Sequence, residues 1–501
     1  MYTDLPLESR EVRSLDEWST PERRLGERTL DPIPIEIYLK IMSEVDDKTD
    51  LSNLALVCRF FASVALPRLF ERLIINPIYN RASRSWEARG NPKLYRVLHE
   101  GLDPLAISAC KYIRNCTIDS VFIAKWPPPS SVVSALQDLL KMPNLTTLTL
   151  VQLELPKAAL SSISQLSSLA SLTLRSCFIW RDVAYADMVA LADNLDLHSL
   201  SLRSSSTWQL ADFDPLVKKS QLTNLYTTSW VFVRCLAAPS VVPPLQILEL
   251  NVVHDLRDVY ELLRRIPTLV ELKLDSVSWP QSAMTETGGL PIYPPSVSID
   301  FTFPLSTLFS LRRLSCPSYL AYLFTGPHVL EKISLGPQMY PPHRDIWAMQ
   351  RLSKDLRLFF NGLNVNLRRL ECVPDSLTRE PMEPQFNGNM QHWFPKLESL
   401  DFAMNLQPEK NEDSDDEGED SDEVLDPADY EDYFEDLLRS FLDTWGPFHS
   451  LTELCFRAID IRNDEEITVR RDWLQDFAPG LNLRDHFPHL SYMSFGNVRY
   501  M

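Results

Sequence analysis

Glycine is scarce in this chain, with 13 glycines in 501 residues, whereas proline is frequent, with 37. Because an average protein has about 7% glycine and about 5% proline, the composition favours stiff connections over flexible ones. The eight cysteines form no CxxC pair, and none stands at zinc-finger spacing from a histidine. We therefore expect reduced, buried thiols rather than disulfides or metal ligands.

Long apolar runs are also missing. The first 25 residues contain no apolar core of signal-peptide length, and no later run reaches the roughly 18 apolar residues that a membrane span requires. We expect an intracellular protein, cytoplasmic or nuclear, that does not bind a membrane.

The excess of negative charge is local. The net charge is -19, but residues 409–436 contain sixteen acidic side chains and a single lysine, so the rest of the chain is close to neutral. A nearly neutral body offers no broad positive field, and we therefore expect no nucleic acid as a partner.

Motifs of known catalytic sites are absent. The sequence has no GxxxxGK[ST], no HExxH and no GxSxG, and no GxGxxG follows a strand-like segment. His486 and His489 form the closest histidine pair, but they flank Phe-Pro, which favours a role in a loop or core over metal binding. We expect no enzymatic activity, no cofactor and no metal.

One pattern, L-x-x-L-x-L or a close apolar variant, recurs twelve times from residue 144 to residue 495. The copies are NLTTLTL, SLASLTL, DLHSLSL, QLTNLYT, PLQILEL, TLVELKL, SLRRLSC, VLEKISL, NLRRLEC, KLESLDF, SLTELCF and HLSYMSF. The first six copies are spaced within the period of about 20–29 residues that is typical of leucine-rich repeats. The later spacings are irregular and indicate insertions.

The repeats resemble the leucine-rich repeat family, in its irregular form, over residues 107–501. The resemblance implies an α/β solenoid, a horseshoe of about 12 repeats, in which short strands turn leucines inward and helices form the convex side. Helical spacing of apolar residues predicts such helices at 185–195, 255–266 and 432–445. The Cys or Asn that follows the family motif is present as Cys177 but is Leu153 in the preceding copy.

Charged residues at the outward positions of the strands are candidates for substrate binding. They are Glu249, Glu271, Lys273, Lys332, Arg369, Glu371 and Glu453. The alternative is that each is an ordinary solvent-exposed residue of a strand and has no role in binding.

In residues 33–75, the apolar residues are spaced as in helices and not as in the repeats. Pro34 suits the first position of a helix that places Ile37 and Ile41 on one face, and Asp50 is a candidate N-cap for a second helix, LSNLALVCRFFASVAL. Pro67 then predicts a third, short helix. Three helices in about 45 residues bury too little surface to be stable alone, which indicates a core completed by another surface.

This stretch resembles the F-box, the adaptor-binding module of Skp-cullin-F-box ubiquitin ligases. The family start LP-x-E-I is matched by IPIEI at 33–37, and L-x-x-L-x-x-V-C-[RK]-x-[FW] is matched by LSNLALVCRFF at 51–61, with isoleucine in place of the first leucine. The resemblance implies that seven residues form or support the surface that binds the Skp adaptor. They are Pro34, Ile37, Ile41, Leu51, Leu54, Val57 and Phe61. The alternative is a helical cap on the repeat array.

We expect a disordered segment at 1–29, an F-box at 30–75, a linker at 76–106 and repeats at 107–501. Within the repeats, 278–304 is a Pro-rich insertion and 407–429 is an acidic, disordered one. The acidic insertion is either a solvated loop or a binder of basic partners, tuned by phosphorylation at Ser414 or Ser421.

Together, the two resemblances imply a substrate-recognition subunit of a ubiquitin ligase. The helical module would bind a Skp-type adaptor and, through it, a cullin, and the repeats would hold a protein substrate. Two alternatives stay open: a repeat scaffold without ligase activity, and a function of the adaptor-bound pair outside ubiquitin transfer.

Overall fold

The structure, a computed structural model, describes part of the chain. It covers 35–45, 47–80, 85–90, 104–119, 129–204, 213–219, 221–228, 230–237, 242–253, 256–277, 308–317, 324, 329–336, 366–372, 394–406, 431, 434–435, 438–439, 442, 448–460, 465–466, 469, 471–496 and 498–500. The chain divides into two compact units, an N-terminal unit, Met1–Pro243, and a C-terminal unit, Pro244–Met501.

Three short helices begin the N-terminal unit, as the sequence predicts, but their boundaries differ. They are α1 (Ile35–Ser43), α2 (Lys48–Val57) and α3 (Arg59–Leu69). The N-cap of α2 is Asp47 and not Asp50, because the Asp47 carboxylate accepts hydrogen bonds from the backbone N–H groups of Thr49 and Asp50, at 2.7 and 3.0 Å.

The predicted long second helix is interrupted at Cys58. This residue has extended backbone angles, φ -161° and ψ 169°, so that α2 ends before it and α3 begins after it. Pro67 therefore lies inside the last turn of α3 and does not open a helix of its own. The Cys58 side chain is exposed, which corrects the expectation of a buried thiol at this position.

The three helices share a small apolar core. Met42, Leu51 and Ala65 are buried, and partly buried apolar side chains surround them. The Arg68 guanidinium of α3 donates to the backbone carbonyl oxygens of Met42 and Ser43 at the end of α1. Because the last carbonyls of a helix lack intrahelical partners, this contact ties the C-terminus of α1 to α3.

We expect Asp47→Ala to lower the midpoint of thermal unfolding at pH 7, whereas Asp47→Asn, which keeps a capping oxygen, changes it less. Hydrogen bonds from the backbone N–H groups of Asp50 and Thr49 lower the pKa of the Asp47 carboxyl. A depressed folded-state pKa means that this contribution is present at neutral pH and is lost as acid protonates the carboxylate. Melting curves of the wild type and the two variants between neutral and strongly acidic pH measure this effect as the wild type's advantage, which should shrink in acid, and equal midpoints for both variants at pH 7 would contradict it.

The helices lead directly into β structure. Strand β1 (Arg72–Asn80) begins three residues after α3, pairs antiparallel with β2 (Ser85–Gly90) and pairs parallel with β3 (Asn115–Asp119). The segment predicted as a linker, 76–106, therefore contains a hairpin, and parallel pairing already begins at Arg72.

The remaining strands of the N-terminal unit continue this parallel order. They are β4 (Thr147–Val151), β5 (Glu154–Leu155), β6 (Ser171–Arg175), β7 (Phe178–Ile179), β8 (Ser199–Arg203) and β9 (Asn224–Thr227). Strands β3, β4, β6, β8 and β9 pair in sequence, and β5 pairs with β7. The helices that the structure describes in this unit after α3 are α4 (Pro104–Cys110), α5 (Pro129–Leu139), α6 (Lys157–Ile163), α7 (Tyr185–Asn194), α8 (Asp214–Val217) and α9 (Trp230–Ala237).

The C-terminal unit repeats the arrangement. Its strands are β10 (Ile247–Val253), β11 (Glu271–Val277), β12 (Arg313–Pro317), β13 (Lys332–Gly336), β14 (Arg369–Cys372), β15 (Ser399–Leu406), β16 (Glu453–Asp460), β17 (Glu465–Glu466), β18 (Tyr492–Phe495) and β19 (Val498–Arg499). Strands β10 to β16 and then β18 pair parallel, while β17 and β19 form antiparallel pairs with β16 and β18. The described helices are α10 (Leu256–Arg264), α11 (Arg471–Phe477), a 3-10 turn (Ala478–Leu481) and α12 (Leu483–His486).

All twelve predicted repeats form strands, and every strand begins at the fourth position of its motif. Because side chains alternate along a strand, this common register turns the fifth and seventh motif positions inward and the fourth and sixth outward. Leu148, Leu200 and Leu272 illustrate the inward set, since each is fully buried. The predicted α/β leucine-rich repeat arrangement is therefore confirmed.

Phenylalanines replace leucine at the inward seventh position in the last three repeats. Phe456 stacks on Phe402 and on Phe495, with ring centroids 5.3 and 4.9 Å apart. Phe434 packs edge-on against Phe495 at 5.5 Å. These rings fill the core of the C-terminal unit where the leucine pattern weakens.

The helices predicted between repeats are confirmed at α7 and α10. The third, 432–445, is described at a few positions, where Phe434, Leu438 and Leu442 are buried. The expected disordered start at 1–29, the insertions at 278–304 and 407–429, and both candidate phosphorylation sites, Ser414 and Ser421, lie outside the described residues.

Cys177 acts as the polar ladder residue of its repeat. Its thiol donates to the backbone carbonyl oxygen of Leu150 in the neighbouring repeat, at 3.3 Å, as the family's asparagine would. Burial raises the pKa of Cys177 to about 12, so the thiol keeps its proton. Leu153, at the equivalent position one repeat earlier, is fully buried.

Candidate functional site

Large apolar side chains stand in solvent on the first two helices. On α1, Ile37 and Ile41 lie one turn apart on the same face and are 47% and 55% exposed. At the end of α2, Leu56 and Val57 are 83% and 66% exposed. Single exposed apolar residues are ordinary, but several of this size on one small module indicate an interaction site.

The residues predicted for adaptor binding fall into two groups. Ile37, Ile41 and Val57 are exposed and can be touched by a partner. Leu51 is 3% exposed, and Leu54 and Phe61 pack against the same core, so these three support the surface from beneath. Pro34 lies outside the described residues.

Two exposed side chains, Leu56 and Leu39, were not among the predicted site residues. Both lie away from the regular apolar spacing that defines the buried face of each helix. A large apolar residue outside that spacing is itself a signal of a second, uncovered face, and this signal was available in the sequence.

Contacts between aromatic rings hold α1 against α3. Tyr38 of α1 contacts Phe60 and Phe61 of α3 edge-on, with centroids 5.7 and 6.0 Å apart. Ile37 and Ile41 are thus held on a rigid helix rather than on a loop.

The charged outward residues predicted for substrate binding are paired with one another or with neighbouring strands. Four ion pairs cross strands of the C-terminal unit: Glu249–Lys273 at 3.6 Å, Glu271–Arg313 at 3.0 Å, Lys332–Glu371 at 4.0 Å and Arg369–Glu453 at 3.6 Å. All seven predicted residues take part in this ladder. Their alternative role, stabilising the strand face, is therefore supported by the geometry.

Arg457 extends the ladder and was missed because it stands one residue beyond the last position of its motif. Its guanidinium binds the carboxylates of Glu371 at 2.7 Å and Asp401 at 2.8 Å, each from a different strand. The hydrogen bond to Asp401 raises the pKa of Arg457 further above its usual value. Burial raises the pKa of the Asp401 carboxyl, and Arg457 opposes that shift.

We expect Arg457→Met to lower the free energy of unfolding by about 2 kcal/mol, because two half-buried carboxylates lose their shared cation. The value is below that of a fully buried ion pair because solvent screens part of the interaction. Urea unfolding measures it. Arg368→Met, which breaks the exposed pair with Glu398, is the control and should change stability by less than about 0.5 kcal/mol. Equal effects of the two substitutions would contradict the assignment.

Among the described residues, no group of three His, Cys, Asp or Glu side chains is arranged to hold a metal ion. His486 ends α12 beside Phe487, with ring centroids 6.3 Å apart, and His489 is exposed. Within the same portion of the chain, no helix is long and apolar enough to cross a membrane.

Comparison with known proteins agrees with the N-terminal assignment. Residues 30–76 match the family model described as F-box-like. No curated protein matches the chain.

Three solved structures are similar to the chain at low identity. An internalin from Listeria monocytogenes has 13% identity and a TM-score of 0.32, covering 82% of this chain and 94% of its own. A TLR13–ssRNA13 complex has 15% identity and a TM-score of 0.27, covering 60% of this chain and 44% of its own. The Toll–Spatzle complex of Drosophila has 14% identity and a TM-score of 0.27, covering 83% of this chain and 43% of its own.

At these TM-scores, the assignment of the repeats depends on the chain's own motif copies and on the register of its parallel strands. The twelve motif copies and their common strand register supply that evidence. The chain thus has an F-box-like domain at residues 30–76, followed in the sequence by an α/β array of leucine-rich repeats.

Proposed function

We propose that this protein is the substrate-recognition subunit of a Skp-cullin-F-box ubiquitin ligase. The F-box-like domain binds a Skp-type adaptor, and the outward face of the repeat strands binds a protein substrate. The observation that carries the proposal is the exposure of Ile37, Ile41, Leu56 and Val57 on a domain whose family generally binds such adaptors.

The energetic argument is burial of apolar surface. Fully burying a side chain of this size contributes about 1.5–3 kcal/mol, so four of them supply a substantial part of a micromolar or tighter affinity even after the costs of association. The underlying core of Met42, Leu51 and Ala65 keeps these side chains on fixed helices, which limits the entropy lost on binding.

In this role the chain carries no bond-making residue. It holds the substrate near a ubiquitin-loaded enzyme on the same scaffold, which raises the effective concentration of substrate lysines. Ubiquitin transfer is performed by other subunits, inside the cell.

The second candidate function is a repeat scaffold without ligase activity. It is favoured by the ion-pair ladder of the C-terminal unit, in which the charged outward residues satisfy one another and leave less charge for a substrate.

Affinity purification of the tagged full chain from cells with the proteasome blocked separates these functions. Recovery of both a Skp-type adaptor and a cullin supports the ligase function, whereas recovery of neither supports the scaffold. Recovery of the adaptor without a cullin would overturn the ligase function and indicate a role of the adaptor-bound pair alone.

A further inference from the structure

Five neighbouring strands of the N-terminal unit present an outward face of polar side chains without charge. Strands β3, β4, β6, β8 and β9 pair in register, so their first and third residues form two outward rows. In the C-terminal unit, nine of the sixteen equivalent positions on the eight repeat strands are charged. In the N-terminal unit, all ten are polar and uncharged: Asn115 and Thr117, Thr147 and Thr149, Ser171 and Thr173, Ser199 and Ser201, and Asn224 and Tyr226. We call these ten side chains the neutral face.

The fold uses other hydroxyl groups of these repeats, but not those of the neutral face. The hydroxyls of Thr146 and Thr223 donate to the backbone carbonyl oxygens of Arg114 and His198 in the preceding repeats, at 3.3 and 3.0 Å. By contrast, the nine side chains of the neutral face other than Tyr226 form no hydrogen bond with any residue that the structure describes. Their capacity to donate and accept is therefore available to a ligand.

Ser201 is the most buried member of the neutral face. It is 8% exposed, and its register partners Thr173 and Tyr226 flank it on the neighbouring strands. Among the described residues, the one side-chain nitrogen or oxygen that is sealed from solvent without a partner is Asp214 Oδ1, so the Ser201 hydroxyl still reaches the surface. A largely buried hydroxyl without a partner costs free energy, which a hydrogen bond from a ligand would recover.

The size of the neutral face matches a short extended peptide. Five strands at a spacing of about 4.8 Å give a width of about 19 Å, and the two rows are about 6.6 Å apart. An extended chain rises about 3.3 Å per residue, so about six residues that lie across the strands span this width. Because hydroxyl groups both donate and accept, they can bind the backbone N–H and carbonyl groups that such a peptide exposes.

We propose that the neutral face binds an extended, uncharged segment of a protein substrate that is rich in serine, threonine, asparagine and glutamine. The inference rests on the proposed function and names the chemistry of the substrate. Hydroxyl and amide side chains can exchange hydrogen bonds with this face, whereas a charged side chain laid on it loses hydration and meets no opposite charge in either row. Asp119, Arg175 and Arg203 stand in the next row along the strands, so they border the segment and do not lie beneath it.

The test uses the full chain and a fluorescent eight-residue peptide in which glutamine and serine alternate. Two matched peptides carry glutamate or lysine in place of glutamine. Fluorescence anisotropy should give at least five-fold tighter binding of the glutamine peptide than of either charged peptide, with an affinity that added salt changes less than two-fold. Removing three hydroxyls together, by Thr149→Val, Thr173→Val and Ser201→Ala, should weaken binding at least ten-fold. The control, Ser315→Ala with Ser334→Ala on outward positions of the C-terminal unit, should leave binding unchanged.

Failure of the glutamine peptide to bind, equal or tighter binding of a charged peptide, or undiminished binding by the triple variant would overturn the inference. If the triple variant melts below the wild type, Ser201→Ala alone decides: it should weaken binding at least three-fold, and unchanged affinity rejects the inference. Adaptor recovery is measured on the same samples. Retained adaptor with failed peptide binding rejects only this inference, whereas lost adaptor in the wild-type chain rejects the proposed function.

Discussion

Replacing Leu56 and Val57 together by aspartate is expected to abolish recovery of a Skp-type adaptor with the full chain. Both side chains are largely exposed at the end of α2, so the substitutions leave the core of Met42, Leu51 and Ala65 intact. In the complex, the same positions would bury two unpaired carboxylates, each at a cost of several kcal/mol. We expect at least a hundred-fold loss of affinity, measured by surface plasmon resonance with purified adaptor.

The matched control is Val189→Asp, on α7 of the same unit, where valine is exposed on a helix outside the F-box-like domain. It introduces the same charge and should retain full adaptor binding. Leu54→Asp is unsuitable because Leu54 packs against the domain's core, and its failure to bind would reflect unfolding. If the Leu56/Val57 double variant binds the adaptor with wild-type affinity, this surface is not the adaptor-binding site.

Leu200→Ala is expected to lower the free energy of unfolding by about 3 kcal/mol. Leu200 is the first inward residue of β8 and is fully buried, so its removal combines lost apolar burial with a cavity. Urea unfolding measures the change.

Ser199→Ala alters the adjacent outward position and is the control. It should change stability by less than about 0.5 kcal/mol, because the side chain makes little contact with the core. A difference of under about 1 kcal/mol between the two variants would contradict the inward and outward register of the repeats.

The strands could be predicted from the sequence because their signal is repeated. One L-x-x-L-x-L has little specificity, but copies at a common period define both the strand and the face that Leu148, Leu200 and Leu272 turn inward. Repeat positions without leucine were harder to find. Strands β1 and β3 carry no full motif, and the first of them crosses the boundary between the expected F-box, 30–75, and the expected linker, 76–106.

Helix boundaries depended on local choices that the sequence leaves open. Asp47 and Asp50 are both suitable N-caps, and the structure selects Asp47 because its carboxylate reaches two backbone N–H groups. Likewise, helical spacing continues through Cys58, but the extended backbone of that residue separates two helices, and no residue type marks the break.

Some features of the candidate sites could be predicted from the sequence, and others could not. Helical spacing placed Leu51 on one face of its helix, where the structure buries it, but the same spacing grouped Ile37 and Ile41, which are exposed. The partners of charged side chains depend on neighbouring repeats that lie dozens of residues apart. Arg457 meets Glu371 and Asp401 only because three strands align, so no local pattern predicted this cluster.

Hydrogen–deuterium exchange of the full chain, alone and with saturating purified Skp-type adaptor, tests the central claim most directly. We expect adaptor to slow exchange in peptides spanning α1 and α2, where the exposed apolar side chains stand, and to leave the strands of the repeats unchanged. Unaltered exchange across 35–57 at saturating adaptor, or protection confined to the repeats, would contradict the account.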